Sequence, residues 1–178
     1  MKERTLQITH SARRAAFRKA AGSRQHVSAK EGRDRLLAGT LPAGSIVHGS
    51  LYFSDADKPV MPLDLTVKGS LTMYDCFQVE ELADGLTVEG DADFFNTWLK
   101  RVPRRMRVSG SLDLSCTRLE SVPDDLFVGG GVVILDYVVA SPALRELVEK
   151  FPHPSWKPDP DDHWSNWCCE AVPEELYA

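Results

Sequence analysis

The chain has 178 residues, 43% of them hydrophobic and 26% charged, a balance that suits one globular domain with appendages and excludes a disordered or fibrous chain. Its net charge of -5 is unevenly placed: residues 1–40 hold 10 Lys/Arg against 3 Asp/Glu, and residues 41–178 hold 11 against 23, so a basic head precedes an acidic body. No apolar run approaches the roughly 18 residues of a membrane span, and the N-terminus lacks the apolar stretch of a secretory signal. Cys76, Cys116, Cys168 and Cys169 show neither disulfide-framework nor zinc-ribbon spacing, so a reduced, cytoplasmic protein without metal or cofactor is expected.

Residues 1–27 read as a basic arm. Within it SARRAAFRKA (residues 11–20) is a helix candidate with Ser11 as its cap. Arg13, Arg14, Arg18, Lys19 and Arg24 are candidate contacts for an anion, either nucleic-acid phosphate or an anionic membrane face. No groove-reading motif accompanies them, so nucleic acid ranks as the alternative partner. Residues 28–40 read as an N-terminal capping helix: Ser28-Ala29-Lys30-Glu31 has capping-box spacing, and Gly39 follows Leu36 and Leu37 as a stop.

Residues 41–139 repeat. Gly49, Gly69, Gly90, Gly110 and Gly130 are spaced 20, 21, 20 and 20 apart. Two residues before each stands a valine (Val47, Val67, Val88, Val108, Val128). Two after come Leu51, Leu71, Ala92, Leu112 and Val132; four after come Phe53, Met73, Phe94, Leu114 and Ile134. Apolar residues at this period of two predict one strand per copy with one buried face. The glycine is expected on that inward face, at a close backbone approach. Seven residues upstream stand Pro42, Pro62, Ala83, Pro103 and Pro123, which make the return segment extended. One such unit cannot bury its apolar edge alone, so the copies stack into a parallel sheet over a continuous core.

The segment Leu112-x-Leu114-x-x-Thr117-x-Leu119 resembles the leucine-rich-repeat family, with Thr117 in the place usually given to Asn or Cys. Cys76 and Thr97 fill the same place in their copies, and Leu99 and Val139 fill the following apolar slot. The short copies and their Leu-Pro step resemble the bacterial subclass found in effector proteins, and the V-x-G-S-L-x-L wording resembles repeats of bacterial and phage proteins. The pattern weakens at Ala56 and Lys58 of the first copy and at Ala83 and Ala92 of the third. The resemblance implies an α/β solenoid of five repeats whose parallel sheet is capped by helices at both ends. It also implies a protein-binding role, as adaptor or inhibitor, in the producing cell or in a target cell.

Residues 140–151 read as the C-terminal cap, with Ser141 before Pro142 and a stripe of Leu144, Leu147, Val148 and Phe151. Residues 152–178 form a Pro/Trp-rich tail with Trp156, Trp164 and Trp167, either a strap packed on the solenoid or a partner-binding peptide.

The outward strand positions place Glu89, Asp91, Asp93 and Asp113 on one face, flanked by Tyr52, Tyr74 and Phe95. Aromatic anchors beside charge of one sign are what a binding surface uses for affinity and steering, and a protein with a basic surface is the expected partner. Asp91 and Asp93 are close enough for a two-carboxylate hydrolytic site. No further ligand set or activated nucleophile accompanies them, so binding without catalysis is expected. Cys168-Cys169 with His153 and His163 fit no chelating spacing.

Overall fold

The computed structural model describes residues 24–55, 57–135 and 142–155. The first sheet takes β1 (His26–Ser28), β2 (Ile46–His48), β4 (Thr66–Val67), β6 (Thr87–Val88), β8 (Arg107–Val108) and β10 (Phe127–Val128), in that order. The second takes β3 (Leu51–Ser54), β5 (Leu71–Tyr74), β7 (Ala92–Asp93), β9 (Leu112–Asp113) and β11 (Val132–Val133). Every pairing is parallel and links a residue to its counterpart one repeat on, as in Leu51 with Leu71 and Val47 with Val67. The molecule is a parallel β-solenoid of about five turns.

Each repeat therefore supplies two strands, which corrects the expectation of one. The cause lies in backbone polarity. Alternate N–H groups of a single strand point the same way, but here the direction inverts at the glycine. Glu89 N donates back to Val67 O and Gly90 N back to Gly69 O, whereas Ala92 N donates forward to Ser111 O. The glycine also faces differently from expectation. A Cβ on Gly69 would lie 2.7 Å from Gly49 C and from Ser50 N, and one on Gly130 would lie 2.7 Å from Gly110 C. The close approach is thus to the backbone of the preceding coil, along the solenoid axis, and not to the core.

Two further corners close each coil. Six residues after the glycine, Asp55, Asp75, Asn96 and Cys116 have φ between 50° and 56°; five before it, Gly44, Asp64, Gly85 and Arg105 also have positive φ. Asp, Asn and Gly tolerate this region best, so six of these eight positions carry suitable residues. Inside, the repeat columns of valine, leucine and phenylalanine are buried together with a column absent from the sequence reading, Leu65, Leu86, Met106 and Leu126. Buried Thr97 satisfies its hydroxyl on Phe94 O at 3.0 Å, and Thr117 does the same on Leu114 O at 2.8 Å, as an unpaired buried hydroxyl would be costly.

At the first end, α1 (Ala29–Leu37) follows β1 directly. Ser28 Oγ accepts from Glu31 N at 3.3 Å, and Gly39 enters the left-handed region at φ 64°. The boundary expected at residue 27 falls inside β1. In the place where a further second-sheet strand would lie, α1 packs on β3 with Leu36 buried and Arg33 Nε donating to Tyr52 O. At the other end α2 (Pro142–Lys150) puts Leu144, Leu147 and Val148 into the core, and Phe151 O accepts from Val132 N at 2.8 Å. The helix candidate at 11–20, Val139, and the tail from residue 156 on, with its tryptophans, His163, Cys168 and Cys169, lie outside the described residues. Cys76 is a buried thiol. Among the described residues no helix is long and apolar enough to cross a membrane.

Candidate functional site

The outward face of the second sheet is a grid with two residues per strand. One row, three after the glycine, runs Tyr52, Thr72, Asp93, Asp113, Val133, each in register with the next. The other, two residues further along each chain, runs Ser54, Tyr74, Phe95, Ser115, Leu135, with Ser115 fully buried. Tyr52 is 57% exposed and Tyr74 42%. The Tyr74 and Phe95 rings stack with centroids 5.0 Å apart and planes within 8°, the pairing that adjacent strands allow aromatic side chains.

The acidic residues divide. Asp93 and Asp113 are direct cross-strand neighbours, and each turns Oδ1 back onto its own chain. Asp93 accepts from Phe95 N at 2.9 Å, and Asp113 accepts from Ser115 N at 2.8 Å. Burial holds the Asp113 carboxyl above its ordinary range and the Asp93 charge adds to this, against the hydrogen bonds from Ser115. Exposed Asp91 belongs to an inter-coil ladder. Its Oδ1 accepts from Ser111 N at 2.8 Å, just as Ser50 Oγ accepts from Ser70 N and Ser70 Oγ from Asp91 N.

Glu89 is not part of this face. It precedes the glycine bend, so it borders the first sheet, where it pairs with Lys68 of the preceding coil. The expected four-carboxylate face is therefore corrected to Asp91, Asp93 and Asp113 beside Tyr52, Tyr74 and Phe95. Of the basic candidates, Arg24 is exposed just ahead of β1; Arg13, Arg14, Arg18 and Lys19 lie outside the described residues. Among the described residues no three His, Cys, Asp or Glu side chains are grouped to hold a metal ion.

Two features escaped the sequence reading. Eight residues after the glycine, Phe77, Trp98 and Arg118 line up around the corner from Tyr74 and Phe95. The Phe77 and Trp98 rings are 6.2 Å apart, and the Arg118 guanidinium lies 4.1 Å from the Trp98 centroid. The column was visible in the repeat frame, but its direction depended on the corner. The second is the pair Asp55 and Asp75, whose left-handed backbone sets them at that corner. No family model, no curated protein and no solved structure matches the chain.

Proposed function

We propose that this chain is a non-catalytic binding module of leucine-rich-repeat type, an adaptor or inhibitor that holds a basic surface of another protein against its second sheet. In this reading α1 and α2 act as caps that keep the open ends of the core from water, and the array is a rigid frame for one face. The effector-like wording of the repeats favours a host protein as target, or a bacterial protein antagonised by a phage product. The observation that carries the proposal is the exposed Tyr52 and the Tyr74–Phe95 stack beside Asp93 and Asp113. Neither carboxylate has an ion-pairing cation among the described residues. Like charges directly across two strands repel, and a basic partner relieves that repulsion while the rings supply contact area.

The test is capture from native-host lysate, identified by mass spectrometry, with three versions of the full chain. The unaltered chain and Glu81→Ala, on another face, should retain the same basic protein. A Tyr74→Ala/Asp93→Lys variant with an unchanged circular dichroism spectrum should lose it. Equal capture by all three would end the proposal.

A further inference from the structure

We propose that the corner made by Tyr52, Ser54, Asp55, Tyr74 and Asp75 is the seat of an arginine side chain presented by the partner. This rests on the assignment of the second-sheet face as the partner surface and names what that surface grips.

The shape comes from the register. β3 is the last strand of its sheet, so its outward residues have a neighbouring strand on one side only. Phe95 covers one ring face of Tyr74. The other face turns toward β3, where the residue in register is Ser54, too short to cover an aromatic ring. Tyr52 stands two residues before Ser54 on the same strand face. The result is a step with Ser54 as its floor and the Tyr74 ring as its wall.

The charge comes from the corner. Asp55 and Asp75 follow Ser54 and Tyr74, with φ 50° and 56°, and Asp55 N donates to Tyr74 O at 3.2 Å. Asp75 Oδ1 accepts from Asn96 Nδ2 at 2.7 Å, a neutral donor that leaves the negative charge in place. Neither carboxylate has an ion-pairing cation among the described residues. Their field is felt nearby: the Cys76 thiol is pushed up to about 11, first by burial and then by Asp57, Asp55 and Asp75.

The preference for a guanidinium over an ammonium comes from two sources. The chain's own Arg33 already serves the third carboxylate of this corner. Its Nη2 lies 2.7 Å from Asp57 Oδ2, its Nε donates to Tyr52 O, and its guanidinium is 5.6 Å from the Phe53 centroid. Asp55 and Asp75 remain for a second guanidinium, and only a planar fork stacks on a ring while reaching two carboxylates.

The experiment is an NMR titration of the full chain with a capped Gly-Arg-Gly-Arg-Gly peptide, its lysine counterpart and its glutamate counterpart. Saturable shifts should centre on Ser54, Asp55, Tyr74 and Asp75. The arginine peptide should bind roughly threefold or more tighter than the lysine one, and the glutamate peptide should leave the spectrum unchanged. An Asp55→Asn/Asp75→Asn variant, which keeps residues suited to the left-handed backbone, should lose most of the binding. Equal response to arginine and lysine, or undiminished binding by the double variant, overturns the inference. Partner capture separates the two levels. If Tyr74→Ala/Asp93→Lys loses the partner while Asp55→Asn/Asp75→Asn keeps it, the face stands and the arginine seat falls.

Discussion

The return segments and the second-sheet face are cut from the same 20-residue frame, yet they treat their charges in opposite ways. Along the return segments Glu80, Glu81, Asp84 and Asp64 each meet a cation from another coil. Lys100 pairs with Glu80, Arg101 reaches both Glu81 and Asp84, and Arg105 reaches Asp64 across two coils. On the second-sheet face Asp91, Asp93 and Asp113 accept from the backbone N–H groups of Ser111, Phe95 and Ser115, and Asp113 accepts from the Ser115 side chain as well. An amide donor fixes a carboxylate in place without cancelling its charge. Those four carboxylates are neutralised between coils, whereas those of the face are oriented but left negative beside the exposed Tyr52 and Tyr74 rings. A carboxylate in this array is structural where another coil offers it a cation.

The largest effect should come from breaking the frame under both surfaces. A Cβ on Gly90 would lie 2.5 Å from Ser70 Oγ, 2.9 Å from Ser70 N and 3.0 Å from Gly69 C, and backbone cannot yield as a side-chain tip can. Gly90→Val should cost about 3 kcal/mol or more, a large part of the stability of an ordinary domain. Urea unfolding followed by circular dichroism measures it. Gly44→Ala is the contrast, since a Cβ there meets nothing within 4 Å and only its φ of 74° opposes the change; about 1 kcal/mol is expected. Equal losses would mean that the glycine column does not set the contact between coils.

Much of this frame was legible because it repeats. A valine two residues before every glycine and an apolar residue two after fixed the coil length, the inward columns and the parallel stacking. The bend was not legible. A period of two continues unbroken through Val88, Gly90 and Ala92, and a reversal of peptide polarity leaves no mark on hydrophobicity. That hidden bend sets Glu89 beside the first sheet although the period of two groups it with Asp91 and Asp93. β1 escaped for a different reason: His26, Val27 and Ser28 are too few to show a period, and only the register with Ile46, Val47 and His48 identifies them as strand.

A smaller effect should sharpen the difference between the faces. Asp113 has its folded-state pKa raised by burial and by Asp93. A raised acid contributes stability that is fully present below its unfolded pKa and is lost as pH rises through the folded value. At neutral pH the ionised carboxylate therefore weakens the fold, and Asp113→Asn keeps the acceptor for Ser115 N without the charge. The variant should melt above the unaltered chain at pH 7, and the gap should close as pH falls into the carboxylate range. A gap that widens on acidification would show the carboxylate to be stabilising.

The smallest effect is expected on the return segments, and its smallness is what the comparison requires. Glu80 is held below its ordinary range by the hydrogen bond and charge of Lys100, and Lys100 is held above its own by the same contact. Both side chains are bathed in solvent, where ordering two long side chains offsets most of the attraction and salt screens the rest. Glu80→Gln should leave the melting temperature unchanged within error at moderate salt and should leave partner capture untouched. A charge-removing change of the same kind on the other face, Asp93→Asn, should reduce capture and make it less sensitive to salt. If Glu80→Gln instead weakened capture as much as Asp93→Asn, the return segments would be part of the binding surface, because a paired and exposed carboxylate has no other route to a partner than direct contact.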